Sequence, residues 1–315
     1  MSPKVHGIHH VTAMAGDPQQ NVDFYAGILG LRMVKKTVNF DDPFTYHFYY
    51  GDDAGNPGTI MTFFPWSSAG MRGRIGNGQL SVTSFAVPED SLAFWEARLK
   101  AHRVKIRGIS ERFSETVLSF DDPDGLLLEL VSSPAERRPG WENGSIPADH
   151  AIRGFYSVTL SLAAYERTAG LMTSTLGYQA VEDADSRFRY ESGTGGPGTY
   201  VDLFCQPSAP RGTMGVGAVH HVAWRINDDE SQLQLRRELL AAGYQVSPVM
   251  DRNYFHSIYF REPGGVLFEV ATDPPGFAVD EPAESLGQSL KLPPWLEKER
   301  ALIEQNLTPV TVRKP

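Results

Sequence analysis

The dipeptide His-His occurs twice in this chain inside nearly the same apolar frame, as Gly7-Ile8-His9-His10-Val11-Thr12 and as Ala218-Val219-His220-His221-Val222-Ala223. A glutamate follows the second copy in an apolar strand pattern, Gly265-Val266-Leu267-Phe268-Glu269-Val270. Two histidines and one carboxylate carried on three separate strands are the ligand set of a non-haem Fe(II) centre, which leaves open positions for an organic molecule and O2. The chemistry explains the choice of ion. Singlet organic molecules react slowly with triplet O2, and a ferrous ion that binds both lets electron density pass from an electron-rich ring to oxygen.

Those residues need strands to carry them, and the chain supplies strands by repetition. Pro123-Asp124-Gly125-Leu126-Leu127-Leu128-Glu129-Leu130 matches Pro263-Gly264-Gly265-Val266-Leu267-Phe268-Glu269-Val270, and Pro57-Gly58-Thr59-Ile60-Met61-Thr62 matches Pro197-Gly198-Thr199-Tyr200-Val201-Asp202, each at an offset of 140. One offset for two independent matches argues for a duplicated half. Each half divides again, giving four units near residues 6–65, 79–133, 153–207 and 217–273, each read as an opening strand, an amphipathic helix and further strands. Helices are expected over Gln19–Leu29, Ser91–Ala101 and Glu230–Ala242, the first and last ending at Gly30 and Gly243. The fold class expected is α+β, with an N-terminal domain over 1–135, a Pro- and Gly-containing linker over 136–152, a C-terminal domain over 153–275 and a tail, 276–315, with a short helix at Trp295–Gln305.

Composition narrows the function classes. The chain has 315 residues, 41% of them hydrophobic, enough for one large core or two medium ones. No apolar run reaches the roughly 20 residues of a membrane span, and the first residues lead directly into a strand pattern, so a soluble, cytoplasmic protein is expected. The single cysteine, Cys205, rules out an internal disulfide framework and a thiolate metal cluster, and reads as an inert packed thiol. A net charge of −9 without a basic stripe argues against nucleic acid as a partner. A homo-oligomer stays open.

A βαβββ unit used four times, with His-Val in an opening strand and apolar-Glu-apolar in a closing one, resembles the vicinal oxygen chelate superfamily of glyoxalases, bleomycin- and fosfomycin-resistance proteins and extradiol dioxygenases. The resemblance covers almost the whole chain. It implies two tandem domains, each of two βαβββ units forming a cupped mixed β-sheet around a metal site. A narrower resemblance is to bacterial ring-cleaving dioxygenases that open hydroquinones, through Gly7–Thr12, Tyr46-His47-Phe48-Tyr49-Tyr50, Asp251-Arg252-Asn253-Tyr254-Phe255, Tyr259-Phe260-Arg261, and the tail segments Gly276–Glu281 and Ser285-Leu286-Gly287.

The repeat tests the ligand positions. At the offset of 140, Ser81 falls where His221 stands, and Ser157 in Gly154–Thr159 mirrors His10, so only units one and four carry the histidine. Glu129 and Glu269 occupy units two and four, with Thr62 and Asp202 near the equivalent point of the others. The expected site therefore takes His221 and Glu269 from unit four and a histidine from unit one, while Glu129 reads as a relic or a paired structural acid. Strand alternation turns one histidine of each pair toward the metal and its neighbour away or to the rim. The resemblance selects His10 and His221 as the ligands, with Fe(II) as the metal and Mn(II) as the alternative.

His9 and His220 then become neighbours able to orient the ligands or pass a proton near neutral pH. With Arg252 to neutralise a developing oxyanion and Tyr259 to donate a hydrogen bond to it, they complete the expected catalytic group. His47, His102, His150 and His256 have no comparable support, and the aromatic residues available to line a pocket are Tyr46, Phe48, Phe204, Trp224 and Phe255. The activity so implied is cleavage of a small aromatic diol, hydroquinone or a substituted hydroquinone, by O2. The alternative is a glyoxalase-like lyase, isomerase or thiol transferase, but such members present a fourth protein ligand, and Thr62 is not a glutamate.

Overall fold

Runs rich in β-branched and aromatic residues, closed by Gly and Pro turns, favour strands over helices in this chain. In the computed structural model, which describes residues 4–66, 71–142 and 144–312, they build four βαβββ units. Unit one is β1 (Ile8–Ala15), α1 (Pro18–Val22), β2 (Arg32–Asn39), β3 (Asp42–Gly51) and β4 (Ile60–Pro65). Unit two is β5 (Gln79–Val87), α2 (Leu92–Ala101), β6 (Ile106–Arg112), β7 (Glu115–Asp121) and β8 (Leu127–Ser132). Unit three is β9 (Phe155–Leu162), α3 (Glu166–Leu171), β10 (Gln179–Ala184), β11 (Arg187–Glu191) and β12 (Tyr200–Cys205). Unit four is β13 (Val219–Ile226), α4 (Asp229–Ala241), β14 (Met250–Asp251), β15 (Phe255–Arg261) and β16 (Leu267–Pro275). The tail ends in a 3-10 turn, Glu297–Glu299, that runs into α5 (Arg300–Asn306), shorter than the helix expected there.

The helix expected over Gln19–Leu29 changes character midway. Asp17 caps α1 by accepting from the Gln20 amide, but from Asp23 to Ile28 the coil widens to π-type bonding, with the Leu29 amide on the Phe24 carbonyl. Met172–Leu176 repeats the change after α3.

The strands of the two tandem glyoxalase-type domains form two curled mixed sheets of eight strands each, and each sheet takes one unit from each domain. One runs β14-β15-β16-β13-β1-β4-β3-β2 and the other β10-β11-β12-β9-β5-β8-β7-β6. Unit one therefore shares a sheet with unit four, and unit two with unit three. The boundaries at 135 and 153 divide repeats of the sequence, not sheets. In each sheet the two opening strands meet antiparallel at the centre, β1 on β13 and β5 on β9, while each closing strand lies parallel to its own opening strand. Every residue of β1, β5 and β9 is buried, as expected of strands covered on both faces. Helix α2 packs on β6 and β8 and α4 on β15 and β16, and the curl of each sheet forms a cup.

The tail straps the first sheet. Lys35 on edge strand β2 is fully buried and pairs with Asp280 and Glu281 at 2.5 Å each, while Phe277 packs against the rings of Tyr49, Tyr254 and Phe255. Covering an edge in this way removes an exposed pairing surface.

The second cup is filled by ion pairs. Glu129 accepts two bonds from Arg112, at 3.1 and 2.8 Å, and one from Ser84. Arg189, 1% exposed, bonds both Asp202 and Glu115, and Arg187 reaches Asp202 at 3.0 Å. Glu129 is thus the paired structural acid that the sequence suggested. Breaking such a buried pair by removing one partner strands the other charge and costs roughly 3 kcal/mol or more. Glu129→Gln should accordingly lower unfolding free energy in urea by about 3 kcal/mol; a midpoint unchanged from wild type would mean that Arg112 finds water or another acid at no loss.

Candidate functional site

The cross-strand register of the first sheet brings distant residues into two rows. Along one row lie Tyr259, Glu269, Ala223 and His10, on β15, β16, β13 and β1. Along the other lie Tyr49, Thr62, Thr12 and His221, on β3, β4, β1 and β13. The rows are mates under a local two-fold relation between units one and four. His10 and Glu269 sit two strands apart, about 9.6 Å at the backbone, and meet above the small side chain of Ala223.

Three donor atoms converge there. His10 Nε2 and His221 Nε2 are 3.3 Å apart, and Glu269 Oε2 lies 3.3 Å from the first and 2.8 Å from the second. All three residues are buried, and among the described residues they form the one His/Cys/Asp/Glu group compact enough to hold a metal ion. Glu269 Oε1 accepts from Ser257 Oγ, whereas Oε2 has no hydrogen-bond donor. Metal bonds of about 2.1 Å at right angles would put donor atoms about 3.0 Å apart, which these spacings match. A divalent ion fits this donor set, and it explains the orphaned oxygen.

The two His-His pairs work through a backbone irregularity. The register on β1 jumps between Ile8 and His10, and on β13 between His221 and Val219, so His9 and His220 are each the extra residue of a β-bulge. Strand alternation, which would turn the first histidine of each pair away, is broken there. Both rings of a pair lie on one side, edge to face, with Nδ1 of His9 2.9 Å from Nδ1 of His10 and Nδ1 of His220 2.7 Å from Nδ1 of His221. Burial, then the neighbouring ligand histidine, lowers His9 well below the usual histidine range and brings His220 to about 3. A neutral imidazole at either position can accept from the Nδ1–H of His10 or His221, which would leave their Nε2 atoms facing the common point. Burial thus works against the proton transfer near neutral pH that the sequence suggested for them. Glu269 is held well below the usual carboxylate range, since the attraction of His10 and His221 outweighs the burial that opposes it.

A cavity of about 310 Å³ opens over the three donors. That is about twice the 150 Å³ known to hold benzene, enough for one substituted ring. Arg252 and Tyr259 line it as expected: Arg252 Nε donates to the Tyr259 hydroxyl at 3.2 Å, and Nη1 reaches Asp41 Oδ2 at 3.1 Å. Burial, reinforced by Glu269, raises the Tyr259 phenol far above its ordinary range, so it keeps its proton. His220 also lines the cavity, while His9 lies behind His10 against Phe255.

His47 is the residue the sequence reading missed. It is half-buried in the cavity wall, with Nε2 2.8 Å from Thr62 Oγ1, Nδ1 2.9 Å from the Tyr49 hydroxyl, and its ring against Tyr49 and Phe64. The signal was present in Tyr46-His47-Phe48-Tyr49, where alternation puts His47 and Tyr49 on one face and Tyr46 and Phe48 on the other. Of the five aromatic residues expected to line a pocket, Phe255 does. Tyr46, Phe48 and Trp224 belong to the core, and Phe204 packs under Arg187 in the second cup. His256 pairs with Asp229 away from the cavity. The second cup also corrects the repeat arithmetic: there Ser157 holds the place of His10, but Val82, not Ser81, holds that of His221, because Ser81 is the bulge residue.

Comparison with known proteins agrees with this geometry. The family model described as the Glyoxalase/Bleomycin resistance protein/Dioxygenase superfamily matches residues 7–130 and 155–270. The chain is 51% identical over 314 residues to the "Putative ring-cleaving dioxygenase MhqO" of Bacillus subtilis, covering 100% of this chain and 99% of that one. It is 36% identical over 300 residues to the chlorohydroquinone/hydroquinone 1,2-dioxygenase of Sphingobium indicum, covering 93% of each. A crystal structure of a "putative dioxygenase" from Bacillus subtilis superposes over 100% of both chains with a TM-score of 0.95 at 50% identity. Glyoxalase I of Zea mays shares the fold, with a TM-score of 0.64 at 17% identity over 85% of this chain and 92% of its own. With four βαβββ units, two cupped sheets and matches that span it nearly end to end, the chain belongs to the glyoxalase/bleomycin resistance/dioxygenase superfamily.

Proposed function

We propose that the protein is an Fe(II)-dependent ring-cleaving dioxygenase of the extradiol type that opens hydroquinone or a substituted hydroquinone, with His10, His221 and Glu269 as the metal ligands. The observation that carries this reading is the convergence of three buried donors beneath a ring-sized cavity walled by Arg252 and Tyr259. A nitrogen-rich donor set favours Fe(II) over Mn(II) in the usual order of divalent affinities. The names of the relatives, one of which is a hydroquinone 1,2-dioxygenase, support the substrate class.

When bound, the metal supplies a common attachment point for a ring oxygen and O2 and a path for electrons between them. The rest is done by the chain. His9 and His220 fix the ligand rings through the Nδ1 contacts. Arg252 stabilises the phenolate oxygen as the ring hydroxyl loses its proton. Tyr259, whose oxygen accepts from Arg252, keeps its own hydrogen for an oxygen that gains charge during the reaction. Cleavage of the C–C bond beside the hydroxyl-bearing carbon retains both atoms of O2, leaving one acid end and one aldehyde end.

The lyase or isomerase reading expects a fourth protein ligand, often a second glutamate. The row mate of Glu269 is Thr62, already bonded to His47 and Thr12 at 2.8 and 2.9 Å, which argues against it.

Anaerobic loading with Fe(II) followed by metal analysis should find one iron per chain, lost for the most part in Glu269→Gln and kept in Glu129→Gln; the reverse pattern would overturn the ligand assignment. Tyr259→Phe should keep its iron and melting temperature but lose about 10²–10³ in kcat, and an undiminished kcat would make Tyr259 a packing residue. In an oxygen electrode, methyl- or chlorohydroquinone should consume O2 faster than catechol, because a ring held by one oxygen depends on the Arg252 wall for its orientation. Faster catechol turnover would defeat that substrate class.

A further inference from the structure

One side of the cavity follows a strand that runs from the metal-ligand row toward solvent. Residues two apart on a strand share a face and stand about 6.6 Å apart. On β4 the alternation sends Met61 and Phe63 into the hydrophobic core. It leaves Thr62, which bonds His47, and Phe64 on the cavity side, with Trp66 just past the end of the strand. Thr62 lies in the row of His221, so along the backbone Phe64 stands about 6.6 Å beyond that row and Trp66 about 13 Å beyond it. Exposure rises along the same line: Thr62 is buried, Phe64 half-buried and Trp66 42% exposed. Met14, the partner of Phe64 on β1, also lines the cavity.

The far end of this line is apolar and its backbone is held in place. The Trp66 amide donates to the Ala15 carbonyl at 2.8 Å, which continues the pairing of β1 with β4 beyond Pro65. Met214, 41% exposed, lines the cavity as well. Its backbone is braced on both sides, by two bonds between Arg74 and Thr213 at 3.0 and 2.8 Å and by the Val216 amide on the Met71 carbonyl at 2.9 Å. Two large apolar side chains that both line the cavity and meet solvent mark its mouth. Apolar surface kept open there gains from any apolar group that covers it. The cavity, about 310 Å³, also has about half its volume to spare beyond the 150 Å³ known to hold benzene.

We propose that Phe64, Trp66 and Met214 form an apolar seat for a substituent on the substrate ring, so that the site selects hydroquinones carrying an alkyl group over hydroquinone itself and over those with a polar group of equal size. This rests on the ring-cleaving reading of the site and names which substituted ring it takes. A ring attached by one oxygen at the metal ligands lies beside Phe64, and a group carried on that ring extends toward Trp66 and Met214. Each carbon buried there is worth about fourfold in Kd.

The test is binding to the Fe(II)-loaded protein under argon, where no turnover occurs, with hydroquinone, ethylhydroquinone and hydroxymethylhydroquinone as probes. Wild type should bind the ethyl compound about four- to fifteenfold more tightly than hydroquinone, and the hydroxymethyl compound, of the same size but polar, no more tightly than hydroquinone. In the double variant Trp66→Ala with Met214→Ala the ethyl advantage should fall to within about twofold, with the hydroquinone Kd itself within about twofold of wild type. Trp66→Phe, which keeps an apolar ring, should retain part of the advantage, a result that a general disturbance of the mouth would not give. Equal wild-type affinity for the ethyl compound and hydroquinone, an ethyl advantage that survives the double variant, or an equal rise in both Kd values would overturn the proposal, even if oxygen uptake on admitting air upheld the ring-cleaving reading. Selective binding of the ethyl compound without oxygen uptake would instead count against the ring-cleaving reading while leaving the apolar seat standing.

Discussion

The seam between β1 and β13 is the constraint on which the site depends. Residues 211 positions apart, His10 and His221, share a cavity because these strands pair antiparallel at the centre of one sheet. The seam also fixes the two rows that run outward, through β16 and β15 on one side and β4 and β3 on the other. A one-residue slip would turn every side chain of β13 to the other face. The bulges at His9 and His220 therefore do more than bend the strands. They insert a second imidazole beside His10 and beside His221 while the pairing between the two bulges stays in register.

The two cups show one scaffold answering one electrostatic problem in two ways. A carboxylate buried at this depth needs a cation or hydrogen-bond donors around it. In the second cup Glu129 and Asp202 receive guanidinium groups from Arg112, Arg187 and Arg189. In the first cup Glu269 faces two neutral-capable imidazoles and one serine, with no guanidinium on it, and the space above stays open. The row positions differ by little: Ser157 and Val82 for His10 and His221, Asp202 for Thr62. The arginines that accompany those changes convert a donor cluster into a salt-bridge plug.

Distant packing supports the open cup. The tail is held by Lys35 against Asp280 and Glu281, and Phe277 then backs both Tyr49, which bonds His47, and Phe255, whose ring lies against His9 and His10. The motifs in the tail and in the β3 strand that looked family-specific are thus parts of the same wall, seen from behind.

Local sequence determined a large share of this protein. Repetition at one offset gave two halves, and the strand and turn chemistry within each gave four units and their βαβββ order. The uneven spread of His and Glu among the units pointed to units one and four and to Glu269, and the family resemblance pointed to His10 and His221 within the pairs, a group that the structure brings together. The tertiary structure decided the rest. Pairing of unit one with unit four is a contact between strands far apart in the chain, and nothing in the period of either strand names its partner. The bulges at His9 and His220 break the two-residue alternation from which facing was inferred, so only the register shows that both rings lie on one side. His47 carried no weight until Thr62 was found to be the row mate of Glu269, a relation set by hydrogen bonds between strands and not by spacing along the chain.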